Sequence, residues 1–199
     1  MQEMVGCPVF TPPIIRAVAA CRVPFWVGFS AFAHGPKGEL VVVNDGFTPL
    51  ADALPELVAL AKRGGADLIG AMHSKPSAIA PMLRMIRRHG WEGPMLAYPD
   101  DEKLWDVNTG KAVAWQTAPE VFASHCLGWH REFPSCCVLG ACCGFRVPHI
   151  VALGRRCMVI DDGERGGRGR GRAASEAAED ASGSVGGSDG GGDDGGSRL

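Results

Sequence analysis

The stretch Leu139-Gly140-Ala141-Cys142-Cys143-Gly144, running on to Pro148-His149-Ile150, decides how the rest of the chain is read. Val138 and Leu139 follow a turn-like Pro134-Ser135 and read as a short buried strand. Gly140 and Gly144 bracket the two cysteines, so the backbone is free to bend where the strand ends. Neighbouring residues of a regular strand point to opposite faces. At a strand end entering a glycine turn, both thiols can swing toward one point. Pro148 suits the first turn of a helix. Strand, paired thiols and helix make a corner fit for a soft metal, since thiolate sulfur binds zinc well. The competing reading is a pair of core thiols, because cysteine is among the most buried residue types.

Working back from that corner, the chain repeats one pattern. Phe25-Trp26-Val27-Gly28-Phe29-Ser30, Ala66 to Met72, Pro94 to Tyr98 and Cys136 to Leu139 are continuous apolar runs of the kind that parallel sheets bury on both faces. Amphipathic helices are expected between and before them. Residues 12–21 open on Pro12-Pro13, and residues 50–62 carry Leu54, Leu57, Val58 and Ala61 on one face with Gly64-Gly65 as a stop. Ile79, Met82, Leu83 and Ile86 mark a third helix, and Val121, Phe122, Cys126 and Trp129 a fourth. Val41-Val42-Val43 suggests a further short strand within 39–44. Strand, loop and helix repeated four times indicate a parallel α/β architecture. A doubly wound sheet and a barrel share that rhythm, and periodicity does not choose between them.

Composition sets bounds. The chain has 199 residues, a net charge of −2 and eight cysteines. From Asp161 onward it is Gly, Ser, Ala, Asp, Glu and Arg with almost nothing apolar, so residues 161–199 are expected to form a disordered tail. Residues 1–160 are left as the folded domain, small beside the roughly 250 residues of a full (β/α)8 barrel. Near-neutral charge gives no reason to expect a nucleic-acid partner. The tail's Arg165-to-Arg172 run of Arg and Gly resembles RNA-binding segments, but nearby acidic residues offset it and it reads as a solvated linker. The cysteines crowd one strand region rather than spreading as a disulfide framework. No basic segment followed by an apolar run opens the sequence, and no run approaches the length of a membrane span. A reducing, cytoplasmic setting is expected.

The motif Leu139-Gly140-Ala141-Cys142-Cys143-Gly144 with Pro148-His149-Ile150 resembles the closing strand of the homocysteine S-methyltransferase family. The likeness extends back through Pro24-Phe25-Trp26-Val27-Gly28-Phe29-Ser30, Ala66-Asp67-Leu68-Ile69-Gly70 and Met95-Leu96-Ala97-Tyr98-Pro99-Asp100, similar to the family's fifth, sixth and seventh strands. Trp115, Pro119, Phe122 and Trp129 sit where its next loop and helix carry the same types. The resemblance implies the C-terminal half of a TIM (β/α)8 barrel, strands five to eight, with Glu3-Met4 at the end of the fourth. A truncated sequence, or a half-barrel that pairs with another half or with itself, would account for the strands not seen.

The resemblance also implies a zinc site. The family's adjacent cysteine ligands map onto Cys142 and Cys143, and its third cysteine onto His73, which gives a Cys2His set. It further implies Glu3 as the group holding the homocysteine amino group. Ser30 and Tyr98, at strand ends, are candidate pocket residues. Asp100-Asp101-Glu102 departs from the family's usual Asn-Ser-Gly loop. The implied reaction moves a methyl group from S-methylmethionine, S-adenosylmethionine or a betaine to homocysteine, forming methionine. The alternative is a catalytically silent, zinc-binding barrel remnant that serves as an interaction module.

Overall fold

The computed structural model describes residues 2–34, 37–42, 48–101, 104–106, 111–114 and 117–165, with side chains outside the description at 2–5, 34, 104–106, 111–114 and 159–165. Four apolar runs form the expected strands: β2 (Trp26–Phe29), β5 (Leu68–Met72), β6 (Met95–Tyr98) and β9 (Cys136–Leu139). A fifth, β1 (Gln2–Val5), contains Glu3 and Met4, which the resemblance alone put at a strand end. Helices α1 (Thr11–Ala20), α2 (Leu50–Arg63), α3 (Pro76–Arg88), α4 (Pro119–Glu132) and α5 (Val147–Arg165) separate or follow them.

Strand order distinguishes between the two architectures. The sheet runs β1-β2-β5-β6-β9 with every pair parallel, so each new strand is added beside the last. Crossovers between parallel strands are right-handed. A sheet that always advances to the same side therefore keeps its helices on one face. The helices pack in sequence, α1 on α2, α2 on α3, α3 on α4 and α4 on α5, as one layer. A doubly wound sheet would reverse its strand order and place helices on both faces. The fold is thus a singly wound parallel α/β arc, as in a partial TIM-barrel-like domain.

The main core lies between sheet and helices. Val27 and Phe29, Ile69 and Ala71, and Met95 and Ala97 alternate toward it along their strands. The expected stripe of α3, Ile79, Met82, Leu83 and Ile86, is fully buried against them. Each such side chain contributes about 1.5–3 kcal/mol. On the other face, Leu68, Met72 and Leu96 form a small cluster with the half-buried Trp26, Tyr98, Val138 and Cys142.

Three features differ from the expectation. The apolar run that begins at Phe25 continues into a second strand, β3 (Ala31–His34), which pairs antiparallel with β4 (Glu39–Val42) in a separate hairpin. A second hairpin, β7 (Leu104–Asp106) with β8 (Lys111–Ala114), was not anticipated. Both hairpins leave from the carboxyl ends of sheet strands, β2 and β6. Strand β9 is only partly buried, because among the described residues it pairs on one side alone, with β6. Trp115, Glu102 and residues 166–199 lie outside the described residues, and α5 runs to Arg165. Among the described residues no helix is long and apolar enough to cross a membrane.

Candidate metal centre

Beyond their formal ends, β5, β6 and β9 stay joined by backbone hydrogen bonds. His73 N donates to Tyr98 O at 2.8 Å and Asp100 N to Ser74 O at 2.9 Å. On the other side Gly140 N donates to Ala97 O at 3.0 Å, Cys142 N to Pro99 O at 2.9 Å and Asp101 N to Cys143 O at 2.8 Å. Three strand ends are thereby held in register at the carboxyl edge, where parallel α/β barrels place their chemistry.

That lacing fixes three side chains. His73 turns out of β5 with φ +44°, a left-handed conformation uncommon for a non-glycine residue and held here by its neighbours. Ser74 secures the bend. Its buried hydroxyl donates to Met72 O at 2.8 Å and accepts from Ala31 N at 2.9 Å, which ties the β2–β3 junction to the end of β5. After β9 the chain bends through Gly140 and Gly144, the latter at φ +89°. A methyl group on Gly140 would lie 2.4 Å from the Tyr98 ring, so only glycine allows that ring its place.

The result is a compact donor set. His73 Nδ1 lies 3.4 Å from Cys142 Sγ, and the Cys142 and Cys143 sulfurs are 3.9 Å apart. The ligating atoms of His73, Cys142 and Cys143 all fall within 4.8 Å of one another. A tetrahedral zinc with bonds of about 2.0–2.3 Å separates its ligand atoms by about 3.3–3.8 Å. The 3.4 and 3.9 Å separations are close to that already, and two sulfurs with one imidazole are a donor set zinc accepts. Burial of the Cys142 thiol, with the adjacent Cys143 and the Asp100 carboxylate adding to it, pushes its pKa up to about 11. Without a cation the thiol therefore keeps its proton at neutral pH.

The other expected residues stand apart from this trio to different degrees. Tyr98 ends β6, half-buried beside Met72 and Leu96 and stacked over Gly140. Ser30 is fully buried just after β2, and its hydroxyl has no hydrogen-bond partner among the described residues. Glu3 lies in β1, but its side chain is outside the described residues. Sequence reasoning had not singled out Ser74, the clamp behind His73. Sequence reasoning meets Asp100 at the end of the Met95-to-Asp100 motif and in a departure from the family's loop; the structure puts its Oδ2 3.8 Å from His73 Nδ1. Its place directly after a sheet strand was the available signal.

A family model described as homocysteine S-methyltransferase matches residues 12–157. That span includes His73, Cys142 and Cys143, as well as Ser30, Ser74, Tyr98 and Asp100. No curated protein matches the chain at a significant level.

Proposed function

Because the chain belongs to the homocysteine S-methyltransferase family, we propose that it transfers a methyl group from an onium donor to the thiol of homocysteine, forming methionine. In this reading β2, β5, β6 and β9 take the places of barrel strands five to eight, and β1 that of the fourth. The observation that carries the reading is the convergence of His73, Cys142 and Cys143 at the carboxyl edge of the sheet.

These three residues would hold zinc, and the ion, when bound, supplies a Lewis acid that keeps a substrate thiol ionised near neutral pH. Cys142 and Cys143 give up their protons to do so, which the raised pKa of Cys142 makes dependent on the cation. His73 contributes a neutral donor, so the set carries two negative charges rather than three. The Tyr98 ring, with Met72 and Leu96 beside it, forms an apolar wall next to the thiols. Such a wall limits water around the reacting sulfur and strengthens attraction for a positively charged donor. The buried Ser30 hydroxyl, without a hydrogen-bond partner among the described residues, has hydrogen-bonding capacity for a polar group of a ligand. Glu3 would hold the homocysteine amino group.

In the transfer itself, homocysteine sulfur forms a bond to the donor's methyl carbon as the bond from that carbon to the donor's sulfur or nitrogen breaks. The electron pair stays with the leaving group, which departs as a neutral sulfide or amine. Sulfur and methyl must be aligned for this in-line displacement, and the fixed strand ends would supply that alignment.

A second reading, a silent zinc-binding module that associates through the open face of its sheet, draws on the half-buried Trp26, Tyr98 and Val138 there. One experiment separates the two. Zinc-loaded full chain is incubated with homocysteine and, in turn, S-methylmethionine, S-adenosylmethionine and a betaine, and methionine is quantified. Methionine formation with one donor, lost on Cys142→Ser, supports the transferase. Stoichiometric zinc with no methionine from any donor supports the silent module.

A further inference from the structure

We propose that His149 is a positioning residue for the metal centre: its imidazole locks the turn that follows Cys142 and Cys143 to the segment entering α4, and so keeps the two sulfurs at the spacing zinc needs. The inference rests on the zinc reading above and adds a residue outside the ligand set.

The cysteine corner is fastened unequally on its two flanks. Toward β6 it is laced by backbone, Cys142 N to Pro99 O and Asp101 N to Cys143 O. On the other flank stands Gly144 at φ +89°, the residue type whose backbone bends most freely. Whatever holds the chain beyond that glycine decides how far the corner can swing.

His149 supplies that hold. It is only 5 % exposed, in the first turn of α5. Arg146 N–H donates to its Nδ1 at 3.0 Å, and Arg146 O lies 3.3 Å from the same nitrogen. Arg146 directly precedes the helix and His149 is its third residue, so this is the reach-back half of a capping box, made by an imidazole in place of the usual Glu or Gln. The other ring nitrogen, Nε2, donates to Thr117 O at 2.9 Å, on the chain leading into α4. A backbone N–H can only donate and a carbonyl can only accept. One tautomer, with the proton on Nε2, therefore serves both partners.

Aromatic packing closes the same joint. The Phe145 ring, from the corner itself, lies 4.5 Å from Phe122 of α4 and 5.0 Å from the His149 ring, centroid to centroid. His149 in turn meets Phe122 edge-on at 5.8 Å. The turn is thus gripped between α4 and α5, two residues beyond the cysteines. Without the imidazole, Arg146 N–H and Thr117 O lose their partner and Gly144 is left as a hinge. The sulfurs would then have to be ordered by the ion at its own expense, which lowers affinity.

The test uses the full chain. Zinc affinity is measured by competition with a chromophoric chelator, at a temperature where the metal-free form of each variant is folded by circular dichroism. Site geometry is read from the d–d and thiolate charge-transfer bands of the cobalt(II) form. His149→Leu should weaken zinc binding by about 10-fold and shift the cobalt bands. His149→Gln, whose amide can accept from Arg146 N–H and donate to Thr117 O, should recover most of both. His149→Asn, which keeps an acceptor for Arg146 N–H but falls short of Thr117 O, should also bind zinc more weakly and carries the test should leucine unfold the chain. Nitrogen NMR of the wild-type imidazole should show the proton on Nε2 with Nδ1 bare.

Unchanged zinc affinity and cobalt bands in the leucine and asparagine variants, even with a lowered thermal midpoint, would reduce His149 to a stability residue and overturn the proposal while the three-ligand centre stands. A loss that glutamine does not recover, or a proton found on Nδ1, would overturn it as well. A wild-type chain that binds no zinc would overturn the centre, the proposed transferase and the role of His149 together.

Discussion

Two Cys-Cys pairs stand at opposite ends of one strand, and the chain treats them differently. At the amino end of β9, Cys136 is fully buried while Cys137 is exposed, as strand alternation requires. At the carboxyl end, Cys142 and Cys143 lie past Gly140 and their sulfurs come within 3.9 Å. The first pair is divided between core and solvent; the second converges on one point with His73. Identical dipeptides thus acquire opposite roles from backbone alone: a regular strand separates neighbouring side chains, and a glycine-bracketed turn unites them. Parallel α/β folds gather function at the carboxyl ends of their strands, and at that end Cys142 meets the imidazole of His73.

The largest effect expected from this contrast is on metal binding. Cys142→Ser or Cys143→Ser should weaken zinc binding by on the order of 100-fold or more, since each ligand carries a large share of the binding free energy. Cys136→Ser and Cys137→Ser should leave zinc affinity unchanged in the same chelator competition. An equal loss in both pairs would break the comparison.

Alkaline titration probes the surroundings of two buried thiols, Cys136 and Cys126. Burial, with Cys137 adding to it, pushes Cys136 from 9.0 to about 12; burial, with Cys136 and Cys157 adding, does the same to Cys126. Both thiols ionise later in the folded chain than in the unfolded one. Their contribution to stability is therefore complete below pH 9 and is lost as pH rises from about 9 toward 12. Midway through that window the loss is about 2 kcal/mol per thiol. Urea midpoints measured across this range should fall for wild type and fall less steeply for Cys126→Ala.

Smaller effects sharpen the account of the turn and then of the strand. Gly140→Ala drives a methyl group against the Tyr98 ring and should cost about 1–3 kcal/mol in urea denaturation. It should also alter tyrosine fluorescence, because the ring must move. Least of all, Cys137→Ser should change stability by less than about 0.5 kcal/mol, as exposed substitutions usually do.

How much of this was legible in the sequence follows the same physics. Apolar runs announced the parallel strands, and Ile79, Met82, Leu83 and Ile86 announced the buried face of α3, because burial leaves a periodic trace. Strand order left none. Which neighbour a strand takes is settled by crossover handedness and helix packing, and it emerged only with β1-β2-β5-β6-β9 in place. The β3–β4 hairpin was half hidden because Ala31 to His34 continues the apolar run of β2, so one run supplies strands to two sheets. At the site, the glycine-flanked cysteines were visible and His73 entered through resemblance to a family. The left-handed turn that aims its ring, the Ser74 clamp and the approach of Asp100 depend on backbone placed by strands far apart in sequence. Such long-range placement has no local signature.

The central claim is that one imidazole and two sulfurs from separate strands hold a single zinc. Equilibrium titration of the full chain with zinc, in the presence of a competing chelator, tests it most directly. The account predicts one tightly held zinc per chain, with the tight site abolished separately by His73→Ala, Cys142→Ser and Cys143→Ser. No tight site in wild type, or a tight site indifferent to all three substitutions, would contradict it.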